Sequence, residues 1–125
     1  MARYDKYEPK SGGFRAPLAA DLSATSKAGN GNPKGCTLDT NGRVVFTGIT
    51  AANFRGVVCT TKDMKAGDIV DVMTDGEIVE MAATVAGATV TTDATGVIDD
   101  VAADASHFNV GFTVESTRLV VRTAR

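Results

Sequence analysis

Imidazole and thiol groups are the side chains best suited to nucleophilic or acid–base work near neutral pH, and this 125-residue chain holds one histidine and two cysteines. His107 stands just before an apolar run, while Cys36 and Cys59 lie in no C-x-x-C or metal-ligand spacing. Composition leaves a His-based triad with either cysteine open, but no local pattern supports one. His107 is expected to be a polar cap or surface residue, and the cysteines to be buried thiols rather than a disulfide. The acids Asp68, Asp71, Asp75, Glu77 and Glu80 reach the density of a calcium loop. They fall on alternate faces of an expected hairpin and lack helix-loop-helix spacing, so no metal is expected. Gly29-Asn30-Gly31 lacks both the Lys-Ser/Thr of a phosphate loop and a preceding strand. No catalytic residue and no cofactor is expected, and the chain reads as a binding or assembly protein rather than an enzyme.

The elements that would position these groups are short. Val and Thr suit a pleated, half-buried surface, and the 13 glycines punctuate it with turns. Aromatics make up only 6% and Trp is absent, so the core is expected to be thin and to lean on oligomerisation or on a partner. Asn41-Gly42 predicts a hairpin between Cys36-Thr37-Leu38 and Arg43-Val44-Val45-Phe46. Gly56–Thr61 reads as a further strand. Ala88–Thr92 and Gly96–Ile98 pair around Asp93-Ala94-Thr95, and Phe108–Val114 pairs with Arg118–Thr123 around Glu115-Ser116-Thr117. Asp75-Gly76 predicts a hairpin that sets Met73 opposite Ile78, Val72 opposite Val79 and Asp71 opposite Glu80. Like charges directly opposite repel, so Asp71 and Glu80 are either solvated or bridged by a cation such as Arg118, Arg122 or Arg125, with solvation favoured. The fold class expected is mainly β, a small barrel or sandwich of short antiparallel strands.

Ahead of that body runs a leader of mixed charge, Arg3-Tyr4-Asp5-Lys6-Tyr7-Glu8-Pro9-Lys10-Ser11-Gly12-Gly13-Phe14-Arg15-Ala16-Pro17-Leu18. Two prolines bias it toward extended backbone and Gly12-Gly13 permits a change of direction. The expected organisation is an extended N-terminal arm over 1–22, a Gly/Asn/Ser loop over 23–35 and a β-rich body over 36–125. Tyr and Arg dominate interface hot spots, so the arm is expected to lie on a partner, adding a strand to an exposed sheet edge there. Charge is divided along the chain. Residues 63–104 hold ten acids against Lys65, whereas residues 1–15 and 115–125 each carry a net +2 within an overall −2. That balance argues against general nucleic-acid affinity and suits docking between neighbours on a mixed surface. No leader of the secretory type and no apolar run of membrane-spanning length is read, so neither membrane nor secretion is expected.

Three stretches carry a resemblance: Tyr4-Asp5-Lys6-Tyr7-Glu8-Pro9 with Ser11–Leu18, then Ala66–Glu80, then Gly111–Arg122. Together they resemble the small capsid decoration (head-stabilising, cement) proteins of tailed bacteriophages, particularly those infecting actinobacteria. The resemblance implies a β-rich body of the β-tulip type, standing as homotrimers on the outer surface of an expanded virion head after synthesis in the host cytoplasm. It implies that the arm clamps neighbouring major capsid protein subunits. The anchors would be Arg3, Tyr4, Lys6, Tyr7, Pro9, Phe14, Arg15, Pro17 and Leu18, with subunit contacts at Asp71, Glu80, Arg118 and Arg122. Asn30–Lys34 and Val85–Asp104 carry no part of it.

Two other classes compete. A biotinyl- or lipoyl-like carrier domain is also a small β-barrel with a modified lysine on a hairpin, for which Met64-Lys65 is the attachment site to consider. In that family the Gly-Asp strand precedes the lysine hairpin, whereas Gly67-Asp68 follows Lys65 here. A secreted adhesin-like β domain is disfavoured by the missing secretory leader.

Overall fold

The computed structural model describes residues 12–23, 33–60, 62–78 and 85–123. Over these residues the chain is entirely β and turn, in two five-stranded antiparallel sheets. The first contains β1 (Gly13–Pro17), β2 (Lys34–Leu38), β3 (Val44–Val45), β4 (Gly56–Val58) and β5 (Ile69–Met73), in the order β1-β5-β4-β2-β3. The second contains β6 (Asp75–Ile78), β7 (Thr89–Thr92), β8 (Ile98–Asp99), β9 (Phe108–Glu115) and β10 (Arg118–Arg122), in the order β6-β10-β9-β7-β8. This is the mainly β class that the Val/Thr pattern predicts.

Three of the predicted turns form, the first as a longer turn closed by Asp39 and Arg43 rather than a two-residue one. Gly42 takes a φ of 76° between β2 and β3, where Asp39 Oδ1 accepts the N–H groups of Asn41 and Arg43, each at 2.9 Å. Gly96 takes a φ of 80° between β7 and β8, where Asp93 Oδ1 accepts from the Thr95 and Val97 backbones at 2.8 and 3.1 Å. Ser116-Thr117 turns β9 into β10. In the first two an Asx side chain substitutes for missing ladder bonds while glycine accepts the positive φ.

The Asp75-Gly76 hairpin does not form. Gly76 is absent from the positive-φ glycines, and Asp75-Gly76 lies inside β6, opposite Arg122 and Val121 of β10. The chain crosses from one sheet to the other at Thr74 instead. Thr74 N donates to Gly12 O at 3.0 Å, and its carbonyl accepts from Thr123 N at 3.0 Å. Asp71 consequently faces Arg15 of β1, and Val72 faces Phe14. Glu80, the expected neighbour of Asp71, lies outside the described residues.

The second half of the expected arm belongs to the body. Phe14, Ala16 and Leu18 alternate inward, and Leu18 is only 1% exposed. Hydrogen bonds from Thr74 N to Gly12 O and from Leu18 N to Asp68 O fix the phase of the β1–β5 ladder. Gly13, Arg15 and Pro17 therefore turn their backbone groups away from β5, so Pro17 interrupts no ladder bond. Within the described residues the arm boundary moves from 22 to 12.

Two cores result. The first sheet curls around Ala16, Leu18, Leu22, Cys36, Val44, Val58, Val70 and Val72, and an isolated parallel bridge between Leu18 and Val44 ties its two ends together. The second core gathers Val90, Ile98, Val110, Leu119 and Val121 of the second sheet against Val57 of β4, with Met73 packed beside it. Strand β4 thus serves both, with Val58 facing one way and Val57 the other, as a period of two requires. Near β2 the sheets meet closely: Gly35 N donates to Gly96 O at 3.0 Å, and a Cβ on Gly35 would run into the Thr92 side chain.

Candidate interaction surface

Among the described residues, His107 sits in a local cluster of polar side chains. His107 Nδ1 lies 2.9 Å from Asp104 Oδ1 and 3.3 Å from Ser106 Oγ. A triad places carboxylate and nucleophile on opposite ring nitrogens. Here both crowd one nitrogen, and Ser106 Oγ also donates to Asp104 Oδ1 at 3.1 Å. The cluster caps a turn: the hydrogen bond from His107, then that from Ser106 N, holds the Asp104 carboxyl down at about 2. Cys36 is fully buried, and desolvation pushes its thiol up to about 12, where it is a poor nucleophile. Neither cysteine is in a disulfide. Among the described residues, no three His, Cys, Asp or Glu side chains converge as metal ligands.

Lys65 opens a turn to Asp68, whose Oδ2 accepts Lys65 N at 2.9 Å, and its Nζ lies 3.8 Å from Asp21 Oδ2. The turn belongs to the long β4–β5 connection rather than to a tight hairpin tip.

Of the expected arm anchors, Arg3, Tyr4, Lys6, Tyr7 and Pro9 lie outside the described residues. Phe14 packs partly buried against the first core and Leu18 is part of it, so Leu18 is committed to the body while Phe14 keeps one side open. Arg15 is exposed, with Nε 2.8 Å from Asp71 Oδ1, and Pro17 is half-buried. A cleft of about 360 Å³ opens beside them, lined by Gly12, Phe14, Arg15, Asp71, Met73 and Asp75. Both acids on its rim already have cations, Asp71 from Arg15 and Asp75 from Arg122 at 3.6 Å.

The expected subunit contacts at Arg118 and Arg122 fall on one face, the outward side of the second sheet. Arg118 Nε lies 2.6 Å from Glu77 Oε1, an ion pair whose N–H is not aligned as a hydrogen bond. Its Nη1 reaches Glu115 Oε1 at 3.0 Å. Between these pairs and Arg122–Asp75 runs a row in register across four strands: Glu77, Val120, Phe112 and Thr89. Phe112 is 45% exposed and Val114, next outward on β9, is 46% exposed. Ile69 and Val97 are more exposed still, but single exposed aliphatics are ordinary on protein surfaces. An aromatic in register with a valine, edged by ion pairs, has the make-up of an interface core and rim.

Sequence reasoning missed Phe112, Val114 and Val120. The signal was present in Leu119-Val120-Val121, an apolar run without alternation, which puts an apolar side chain on each face of the strand. Comparison of the chain with protein-family models and with curated proteins finds no match.

Proposed function

We propose that this chain is a non-enzymatic assembly protein: a capsid decoration (cement) protein that binds the outside of an expanded phage head and joins neighbouring major capsid protein subunits. The observation that carries the reading is the outward face of the second sheet, where Phe112 and Val114 stand exposed beside a half-buried Val120, between ion pairs. Such a face supports protein–protein contact rather than chemistry. The identity of the partner rests on the resemblance carried by the leader, by 66–80 and by 111–122. Capsid contact in this reading belongs to Arg3, Tyr4, Lys6, Tyr7 and Pro9, continued by the exposed Arg15 and the partly exposed Phe14 and Pro17, while Leu18 is committed to the body.

Co-sedimentation with undecorated expanded heads, comparing the full chain with one lacking residues 1–11, tests the reading. Saturable binding that weakens on removal of 1–11 is expected. No saturable binding by the full chain overturns the proposal.

A further inference from the structure

The β9–β10 hairpin presents opposite partners in mirror positions about the seam between its strands. Phe112 is paired in register with Val120, and Glu115 with Arg118. A two-fold axis lying over that seam and parallel to the strands exchanges β9 with β10. It brings the Phe112 of one copy onto the Val120 of the other, and the Glu115 of one onto the Arg118 of the other. Each copy then offers an aromatic to an aliphatic and an acid to a base, twice over. The Arg118–Glu115 contact, 3.0 Å within one chain, then lies against its counterpart in the other copy, with each Arg118 also held by its own Glu77 at 2.6 Å. Self-complementarity of this kind is what an isologous contact demands.

We propose that the outer face of the second sheet is a homotypic interface, and that its occupant is a second copy of this chain related by that two-fold axis. The inference rests on reading the face as an interaction surface and names what covers it. An isologous contact differs from the ring-closing contact of a trimer, so on a particle it would join one ring to the next. A few apolar side chains and the ion pairs around them place it at the small end of interfaces, where association is weak.

Sedimentation equilibrium of the full chain at concentrations up to about 1 mM is the test. A concentration-dependent dimer is expected, weakened about tenfold or more by Phe112→Ser. Glu115→Arg and Arg118→Glu copies are each expected to stay monomeric alone and to dimerise when mixed, because only the mixture restores both charge contacts. Should Arg118→Glu fail to fold beside Glu77 and Glu115, a half-labelled wild-type sample gives the same answer. Intermolecular nuclear Overhauser effects are expected between the Phe112 ring and the Val120 methyls. A wild-type chain that stays monomeric at about 1 mM, or intermolecular contacts elsewhere, overturns the proposal. Lost self-association with retained capsid binding in Phe112→Ser separates this inference from the decoration reading.

Discussion

Arg15 Nε lies 2.8 Å from Asp71 Oδ1, directly across the β1–β5 pair. The two residues occupy a position without backbone hydrogen bonds between them, where opposed side chains approach most closely. The cation beside Asp71 therefore comes from the start of the same chain. Both side chains are about three-quarters exposed, 70% and 77%, so water screens the pair.

The contrast between Arg15 and Leu18, a little further along the same segment, is the first prediction. Arg15→Ala is expected to cost no more than about 1 kcal/mol in urea unfolding. Leu18→Ala empties a buried site in the first core and is expected to cost about 2–5 kcal/mol. Similar losses for both would mean that β1 is not packed as described.

Truncation gives a second, sharper contrast. Removing residues 1–11 leaves β1 and Leu18 in place, so the strand signal in circular dichroism and the melting temperature should change little. Removing residues 1–18 deletes a strand of the first sheet, and the shortened chain is expected to lose cooperative unfolding.

Where the sequence disclosed the fold, the reason is local. Asn41-Gly42 and Asp93-Ala94-Thr95-Gly96 specify their own turns, since the Asp carboxylates and the glycines at positive φ act within a few residues. Asp75-Gly76 is a turn-favouring pair of the same kind, but which strand pairs with which is a tertiary matter. The crossing at Thr74 gave β5 to β1 and β6 to β10. The leader was legible in part: Phe14, Ala16 and Leu18 alternate as a strand should. Pro17 masked the pattern, because only the phase of the ladder reveals that its nitrogen points away from β5. The outward face of the second sheet was half legible through Arg118 and Arg122, while Phe112 is apolar whether it faces in or out.

A third prediction concerns the contact between the sheets. Gly35→Ala is expected to destabilise the fold, because the added methyl meets the Thr92 side chain where β2 packs on β7. Overpacking of this type costs about 1–3 kcal/mol. Pairing it with Thr92→Ala, which makes room, should recover part of the loss in a double-mutant cycle.

The fourth prediction is a pH dependence. The hydrogen bond from His107 lowers the Asp104 carboxyl from its ordinary 3.8 to about 2, and the Thr95 hydroxyl lowers Asp93 as its largest cause. A carboxylate whose pKa is depressed by folding adds stability above its unfolded value and loses it as pH falls through the folded one. The 100–107 loop is therefore expected to loosen between about pH 4 and pH 2. Carbonyl chemical shifts of Asp104 should titrate near 2, and a midpoint at 3.8 would rule out the His107 contact in solution.

Cys36 supplies the last prediction. Its thiol is fully buried in the first core, and desolvation raises it to about 12, so at pH 8 almost none of it is the reactive thiolate. Cys59 is only half-buried. Alkylation of the folded chain at pH 8 is therefore expected to modify Cys59 first and to leave Cys36 intact until denaturant is added. The labelling rate of Cys36 then reports opening of the first sheet, since reagent reaches it only when β2 parts from its neighbours. Leu18→Ala packs less tightly around the same core, so it should speed that labelling in proportion to its lost stability. Arg15→Ala should not. Rapid alkylation of Cys36 in the native wild-type chain would show that the first sheet does not enclose it.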